Sequence, residues 1–286
     1  MPSLIDIRRR VRSVKNTQQI TKAMKMISAA KLRRAQERAL ASRPYAAMLD
    51  QVLSNVAEAA AQSGEGEGHP LLAIRPEKRI LAVVVTADKG LAGGFNSNLL
   101  KIAQKFLDEH RDSQLSVELV GRKARDYFRR RTLPVHGEHL DLFRLVRYED
   151  AERIADIVIE RFSKAEVDSV YLFVNEFKSV MAPNPIVTRI LPIQVPKTAS
   201  PVDYIYEQKP EEMLGSLLPR YVKMRMYRAL LESAAAELAA RMTAMDAATS
   251  NADEMIDKLT LYMNRVRQAS ITREIIEIVS GAAALG

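Results

Sequence analysis

The chain's 286 residues are enough for one or two domains with a proper core, and 47% hydrophobic against 27% charged residues is an ordinary globular balance. No apolar run approaches the roughly 18 residues needed to cross a bilayer. The amino terminus is charged and lacks the apolar segment of a signal peptide, and with no cysteine the chain excludes disulfides and thiolate chemistry.

The net charge of +8 is concentrated at one end. Residues 1–40 carry eleven Lys and Arg against Asp6 and Glu37, so the remainder of the chain sums to −1. Such a segment calls for an acidic partner: nucleic acid, anionic lipid or an acidic protein surface.

The basic segment is itself helical in pattern. Ser3 is placed to cap it, with Asp6 three positions on. Leu4, Ile7, Val11 and Val14 follow coiled-coil spacing; polar Asn16, Thr17 and Gln18 then interrupt the series, which resumes out of phase at Ile20, Met24 and Ile27. Helical pattern resumes after Pro44 through Met48, Val52 and Val56, and residues 63–70 (SGEGEGHP) read as a flexible loop.

The middle of the chain changes character. Residues 79–87 (RILAVVVTA) form a β-branched apolar run suited to a buried strand, and after a glycine turn an amphipathic helix is expected at about 98–110. A second strand at 115–120, a basic helix near 123–131, a third helix at 149–162 and strands at 170–177 and 187–193 follow. Strands alternating with helices predict a small α/β sheet that is at least partly parallel.

A proline-rich stretch, 183–210, leads into the longest element. Residues 220–280 hold 61 positions without glycine or proline. Steps of four and three from Leu217 meet Tyr221, Met224, Arg228, Leu231, Ala235, Leu238, Met242, Met245, Thr249, Ala252, Ile256, Leu259, Met263 and Val266, with only Arg228 and Thr249 polar. A helix of that length is roughly 90 Å long and needs a partner along its seam.

The predicted organisation is therefore α/β plus a long antiparallel coiled coil. A helix over 1–62 and a linker over 63–78 precede a central Rossmann-like domain over 79–210, inserted before the helix over 211–286. The methionines at 24, 26, 224, 226, 242, 245, 255 and 263 are expected mainly in the seam. If pairing begins near Pro44 opposite Arg220, the partner is exhausted at about residue 260–270. Ile271, Ile275, Ile276, Ile278, Val279 and Leu285 lie beyond, so other chains are expected to sheathe the tip.

Catalytic signals are weak. The turn at 88–96 follows a strand and precedes a helix, where phosphate loops sit, but it fits neither G-x-G-x-x-G nor G-x-x-x-x-G-K-[ST]. A tight turn with positive φ at Gly93 or Gly94 is the alternative. His136, Glu138 and His139 lack metal-site spacing and read as solvated loop residues. No catalytic constellation stands out, and no cofactor or metal is called for.

Three stretches resemble the γ subunit family of F-type ATP synthases: IRRR at 7–10 with SVKNTQQITKAMKM at 13–26 and AKLRRA at 30–35; TADKGLAGGFNSN at 86–98; and RMTAMDAATSN at 241–251 with NRVRQASITREIIEIVSGA at 264–282. The resemblance spans essentially the whole chain. Lys89 replaces a common arginine, Ala92 stands where many members have cysteine, and the regulatory cysteine-bearing insertion of chloroplast members is absent.

The resemblance implies a non-catalytic rotor shaft, one copy per complex. Its paired helices would enter the hexamer of α and β subunits, and its α/β domain would sit with the ε subunit on the membrane c-ring. Positions matching Lys22, Met24, Arg241, Gln268, Thr272 and Glu274 would face the hexamer. It also implies a peripheral location on the cytoplasmic face of a bacterial inner membrane, with no direct membrane insertion and no nucleic acid. Two other readings stay open on the residues alone: a basic coiled-coil nucleic-acid binder, and a nucleotide-utilising α/β enzyme with helical arms.

Overall fold

The computed structural model describes residues 3–62, 69–177, 179, 184–195 and 208–285. Most of the loop expected at 63–70, and much of the proline-rich stretch, lie outside them. The chain divides into two compact units, one of Met1–Ser28 with Met242–Gly286 and one of Ala29–Arg241. Two long helices contribute to both: α1 (Leu4–Gln62) and α5 (Pro210–Leu285).

Ser3 caps α1 as expected, its Oγ accepting from the Asp6 amide at 3.3 Å. Pro44 lies inside that helix, which runs unbroken where the helical pattern pauses. A proline removes one helical hydrogen bond, and packing of Ala39, Ala46 and Leu49 in the core on either side holds the backbone helical. Pro210 opens α5, where its missing amide costs nothing.

In the unit formed by the two ends of the chain, α1 and α5 run antiparallel. As the position on α1 rises from Gln18 to Thr21 to Lys25, its partner on α5 falls from Asp253 to Thr249 to Asp246. The covered positions of α1 are Leu4, Ile7, Val11, Val14, Gln18, Thr21, Met24, Lys25 and Ser28. This corrects the expected phase shift, since the register runs straight through the polar stretch. Ile20 and Ile27 lie outside it, 60% and 56% exposed.

The second unit holds a five-stranded sheet of β1 (Arg79–Val85), β2 (Gln114–Val120), β3 (Val135–His139), β4 (Ser169–Glu176) and β5 (Asn184–Leu191). Their spatial order is β3-β2-β1-β4-β5, parallel except for β5. Helices α2 (Phe95–Glu109), α3 (Arg122–Phe128) and α4 (Tyr148–Ser163) connect the parallel strands.

Central β1 alternates between two cores. Ala82 and Val84 meet Leu99, Ala103, Ala124 and Phe128 of α2 and α3. Leu81, Val83 and Val85 meet a larger core built from α4, α1 and α5, including Ile154, Val158, Leu53, Val56, Leu218 and Val222. A strand covered on both faces has no polar alternation, which is why residues 79–85 read as one continuous apolar run.

Strand β3 was not expected. His136 and Glu138 are exposed, but His139 Nε2 lies 2.6 Å from Oε1 of the fully buried Glu118 on β2. The expectation of a solvated loop therefore fails for His139. A short edge strand with glycine at its centre and polar side chains on its open side carries no apolar signature. Among the described residues, no cluster of three or more His, Asp and Glu side chains is arranged to hold a metal.

One staple fixes the amino ends of β1 and β4. The Arg79 amide donates to Asp168 Oδ2 at 2.9 Å and its guanidinium donates to Oδ1 at 2.7 Å, while the Asp168 amide donates back to the Arg79 carbonyl at 2.8 Å. Hydrogen bonds from Arg79 hold the buried Asp168 carboxyl below its ordinary range. A depressed carboxylate stabilises the fold above its ordinary titration range, and that contribution is lost as pH falls through the lowered value. Asp168→Asn should cost about 2 kcal/mol at neutral pH. In urea unfolding, the gap to the parent should narrow steadily below about pH 4.

Candidate functional site

Two surfaces offer themselves, and each is built within one unit. The first is the outside of the helical pair. Carrying the antiparallel register to the start of α1 puts Leu4 opposite about residue 267 of α5. From Ile271 to Ala283 every residue of α5 is exposed. Ile271, Ile275, Ile278 and Val279 share one helical face at 48% to 71% exposure, and Ile276 widens it.

The outer face of α1 is basic with apolar residues between. Arg8, Arg9, Arg10, Arg12, Lys15 and Lys22 are exposed, together with Ile20, Met26 and Ile27. Along the paired stretch of α5 the exposed large apolar residues are Met255, Leu261 and Tyr262. Met26 and Met255 thus lie outside the seam, contrary to the general expectation for the methionines. Their neighbours Met24, Met242 and Met263 are half-buried, and Met224, Met226 and Met245 are buried.

The seam beneath this surface is polar over three layers. Gln18 bonds to Asp253, the Thr21 and Thr249 hydroxyls lie 2.8 Å apart, and Lys25 Nζ reaches Asp246 Oδ1 at 2.5 Å. The last pair is about half exposed, so it contributes at most roughly 1 kcal/mol. Its worth lies in register, because an apolar seam alone tolerates sliding by a heptad while specific polar partners do not.

The residues singled out from sequence separate accordingly. Lys22 is exposed and Met24 half-buried on the paired stretch of α1. Gln268, Thr272 and Glu274 are exposed on the unpaired tip of α5, where Ser270 Oγ donates to Glu274 Oε1 at 3.3 Å. Arg241 belongs to the other surface.

That second surface is the turn of residues 88–96, at the carboxyl ends of β1 and β4. In doubly wound folds with this strand order, nucleotides enter the crevice at this topological switch point. Here α5 fills it. Ala236 and Ala240 pack on Ala87, Ala92 and Phe95, with Phe143 and Phe177 at the margin. The alanines let the helix backbone come close, and the Asn175 amide side chain donates to the Phe95 carbonyl at 3.2 Å. This closes the site required by the nucleotide-utilising reading.

The turn is pinned from several sides. Asn96 Oδ1 accepts from the Ala87 amide at 2.9 Å, and Asp88 Oδ1 accepts from the amides of Arg122 and Asp141 at 3.1 and 3.0 Å. Gly93 has the positive φ expected of this turn, at 52°, but so does Leu91, at 62°. Arg241 donates to the Gly90 carbonyl at 3.2 Å and pairs with Glu237 one helical turn earlier. Burial raises the Glu237 carboxyl above its ordinary range, opposed chiefly by Arg241 and, from α1, by Lys31.

Such a molecule is a protein of two long helices with an inserted α/β domain whose switch-point crevice is filled by its own helix. A family model described as ATP synthase matches residues 3–285. The chain is 64% identical to the ATP synthase gamma chain of Solibacter usitatus over 99% of both sequences. It is 52% identical to that of an Anaeromyxobacter species over the full length of both.

Among solved structures, it superposes on a central stalk and c-ring chain of the Tetrahymena thermophila mitochondrial ATP synthase with a TM-score of 0.62 at 26% identity, covering 80% of this chain and 99% of that one. A chain of the Euglena gracilis mitochondrial ATP synthase matches in fold at 17% identity, with a TM-score of 0.66 over 99% of this chain and 94% of that one. The chain belongs to the ATP synthase gamma chain family. Neither the fold nor these relatives support the nucleic-acid-binding alternative.

Proposed function

We propose that this chain is the non-catalytic rotor shaft of an ATP synthase, coupling ion-driven rotation of a membrane c-ring to ATP synthesis and hydrolysis in a hexamer of α and β subunits. The observation that carries this reading is the tip of α5, which outruns its partner and leaves a broad apolar face uncovered. A sheath of surrounding subunits would cover that face. The basic outer side of α1 would meet acidic loops of the hexamer.

On this reading the helical pair works inside the hexamer, and the α/β domain sits with the ε subunit on the c-ring. One copy serves each complex, with its two helices presenting different side chains around the shaft. Turning that asymmetric surface supplies each catalytic subunit in succession with a different interaction energy, which is what a shift between conformations requires. Lys22, Met24, Gln268, Thr272 and Glu274 are candidate contacts on the exposed helical surfaces, while Arg241 would act from the edge of the α/β unit. No described helix is long and apolar enough to cross a membrane. Peripheral attachment through partner subunits, at the cytoplasmic face of a bacterial inner membrane, fits that architecture.

Native mass spectrometry of the affinity-purified chain tests the proposal. The expected species contains α and β subunits with one copy of this chain, and the isolated chain has no ATPase activity. Robust turnover by the chain alone would sink the rotor reading. Salt-sensitive binding to DNA without any hexamer would favour the basic coiled-coil alternative.

A further inference from the structure

The geometry points to Arg241 as a positioning residue: seated in the switch-point crevice, it holds the exposed Lys89–Leu91 apex of the turn through the Gly90 carbonyl. This inference rests on the rotor reading for its consequence, but not for its geometry. The Arg241 side chain is 15% exposed and the Glu237 side chain 6%, so both ends of the pair are withdrawn from water. A buried ion pair is a poor device for stability alone, because desolvation offsets most of its attraction. It is a good device for fixing one geometry, and the guanidinium has donors left over for Gly90 once Glu237 is satisfied.

The apex it holds is otherwise hard to explain. Leu91 is 65% exposed and adopts a left-handed backbone that leucine disfavours, so it adds little to the core and is strained. Lys89 beside it is exposed as well. The base of the turn is fixed by Asp88 and Asn96, which leaves the apex to be held from α5. With the latch in place, the apex and the helix move as one piece, and a force borne by Leu91 passes into α5 through Arg241. A residue acting only by direct contact with a partner would need no bond to the turn.

Hydrogen exchange on the full chain, free in solution, provides a readout independent of any partner. The principal reporter is the Phe95 amide, bonded to the Ala92 carbonyl next to the apex. The amides of Ala87, Arg122 and Asp141, bonded to Asn96 and Asp88 at the base, show how far loosening of the apex spreads through the turn. Arg241→Met should speed their exchange by roughly tenfold while amides in the centre of β1 stay protected. Arg241→Lys, which keeps a cationic donor, should recover part of that protection. In the assembled complex, Arg241→Met should lower ion pumping per ATP hydrolysed, and Arg241→Lys should restore it in parallel with the exchange rates.

Parent-like exchange in Arg241→Met would overturn the latch, and coupling lost without faster exchange would instead assign Arg241 to direct contact. Faster exchange with normal coupling would also overturn the positioning role, leaving a bond that only stabilises the turn. If the parent chain formed no complex with an ATPase hexamer, the rotor reading would fail while the exchange result still decided the latch.

Discussion

Alanine at position 121 is expected to leave the α/β unit largely unfolded, the most severe effect of any single methyl group placed among the glycines described. Gly121 joins β2 to α3 with φ 87° and ψ 148°, a region that side-chain-bearing residues almost never occupy. A Cβ built there would fall on the carbonyl oxygen of Thr86, backbone that cannot move aside. That backbone is tied on every side. The Thr86 amide donates to Val120 at 2.8 Å, its hydroxyl caps α3 by accepting from the Ala124 amide at 2.7 Å, and the Gly121 amide donates to His139 at 2.8 Å.

Relief of the clash would therefore break the joint between β1, β2, β3 and α3 together. Backbone strain and lost hydrogen bonds should sum to more than about 4 kcal/mol, enough to exhaust much of a domain's stability. Chemical denaturation and soluble yield measure the result. Gly215 is the internal control: an added Cβ meets nothing within 4 Å in the second turn of α5, and alanine there should gain roughly 0.5–1 kcal/mol through helix propensity. A parent-like midpoint for Gly121→Ala would refute the argument.

How far the fold could be read from residues follows from the same physics. The seam of α5 was legible because every position in its stepped series lost solvent, whether apolar or not. The seam of α1 was legible only to Val14. Beyond it, Ile20 and Ile27 imitate a displaced seam by chemistry, whereas helix geometry carries the true one through Gln18, Thr21, Met24, Lys25 and Ser28. A signal was available on the other helix. Thr249 is polar in an otherwise apolar series, and the antiparallel register sets it against Thr21. Paired exceptions of this kind identify a polar layer better than either helix does alone.

The latch was legible only in part. Its two ends, Gly90 and Arg241, are 151 positions apart, and in sequence each had a separate bland or functional explanation. The glycine turn resembled a phosphate loop because both need close backbone approach at the end of a strand. What approaches here is a helix, and its alanines at 236 and 240 are the complementary half of that need. Edge strand β3 left still less trace, since one open side and a central glycine remove the alternation by which strands are recognised.

Deleting residues 271–286 should have opposite effects on the free chain and on its complex. In the free chain residues 271–285 are the unpaired end of α5, whose isoleucines and valine are exposed, so their loss breaks no pairing with α1. Exposed faces of this breadth drive self-association, and truncation should lower the tendency of the isolated chain to aggregate. The α/β unit, ending at Arg241, should retain its unfolding midpoint.

In the complex the same face would be covered by other subunits, each isoleucine bringing about 1.5–3 kcal/mol of apolar burial before the costs of ordering are subtracted. Even a small surviving fraction of that sum changes affinity considerably. Retention of the truncated chain by the hexamer should therefore weaken by at least about tenfold, with coupled ATP synthesis reduced in proportion. Light scattering of the free chain and subunit exchange in the complex read the two arms separately. Normal coupled synthesis with unchanged retention would mean that the uncovered tip is not held by the hexamer.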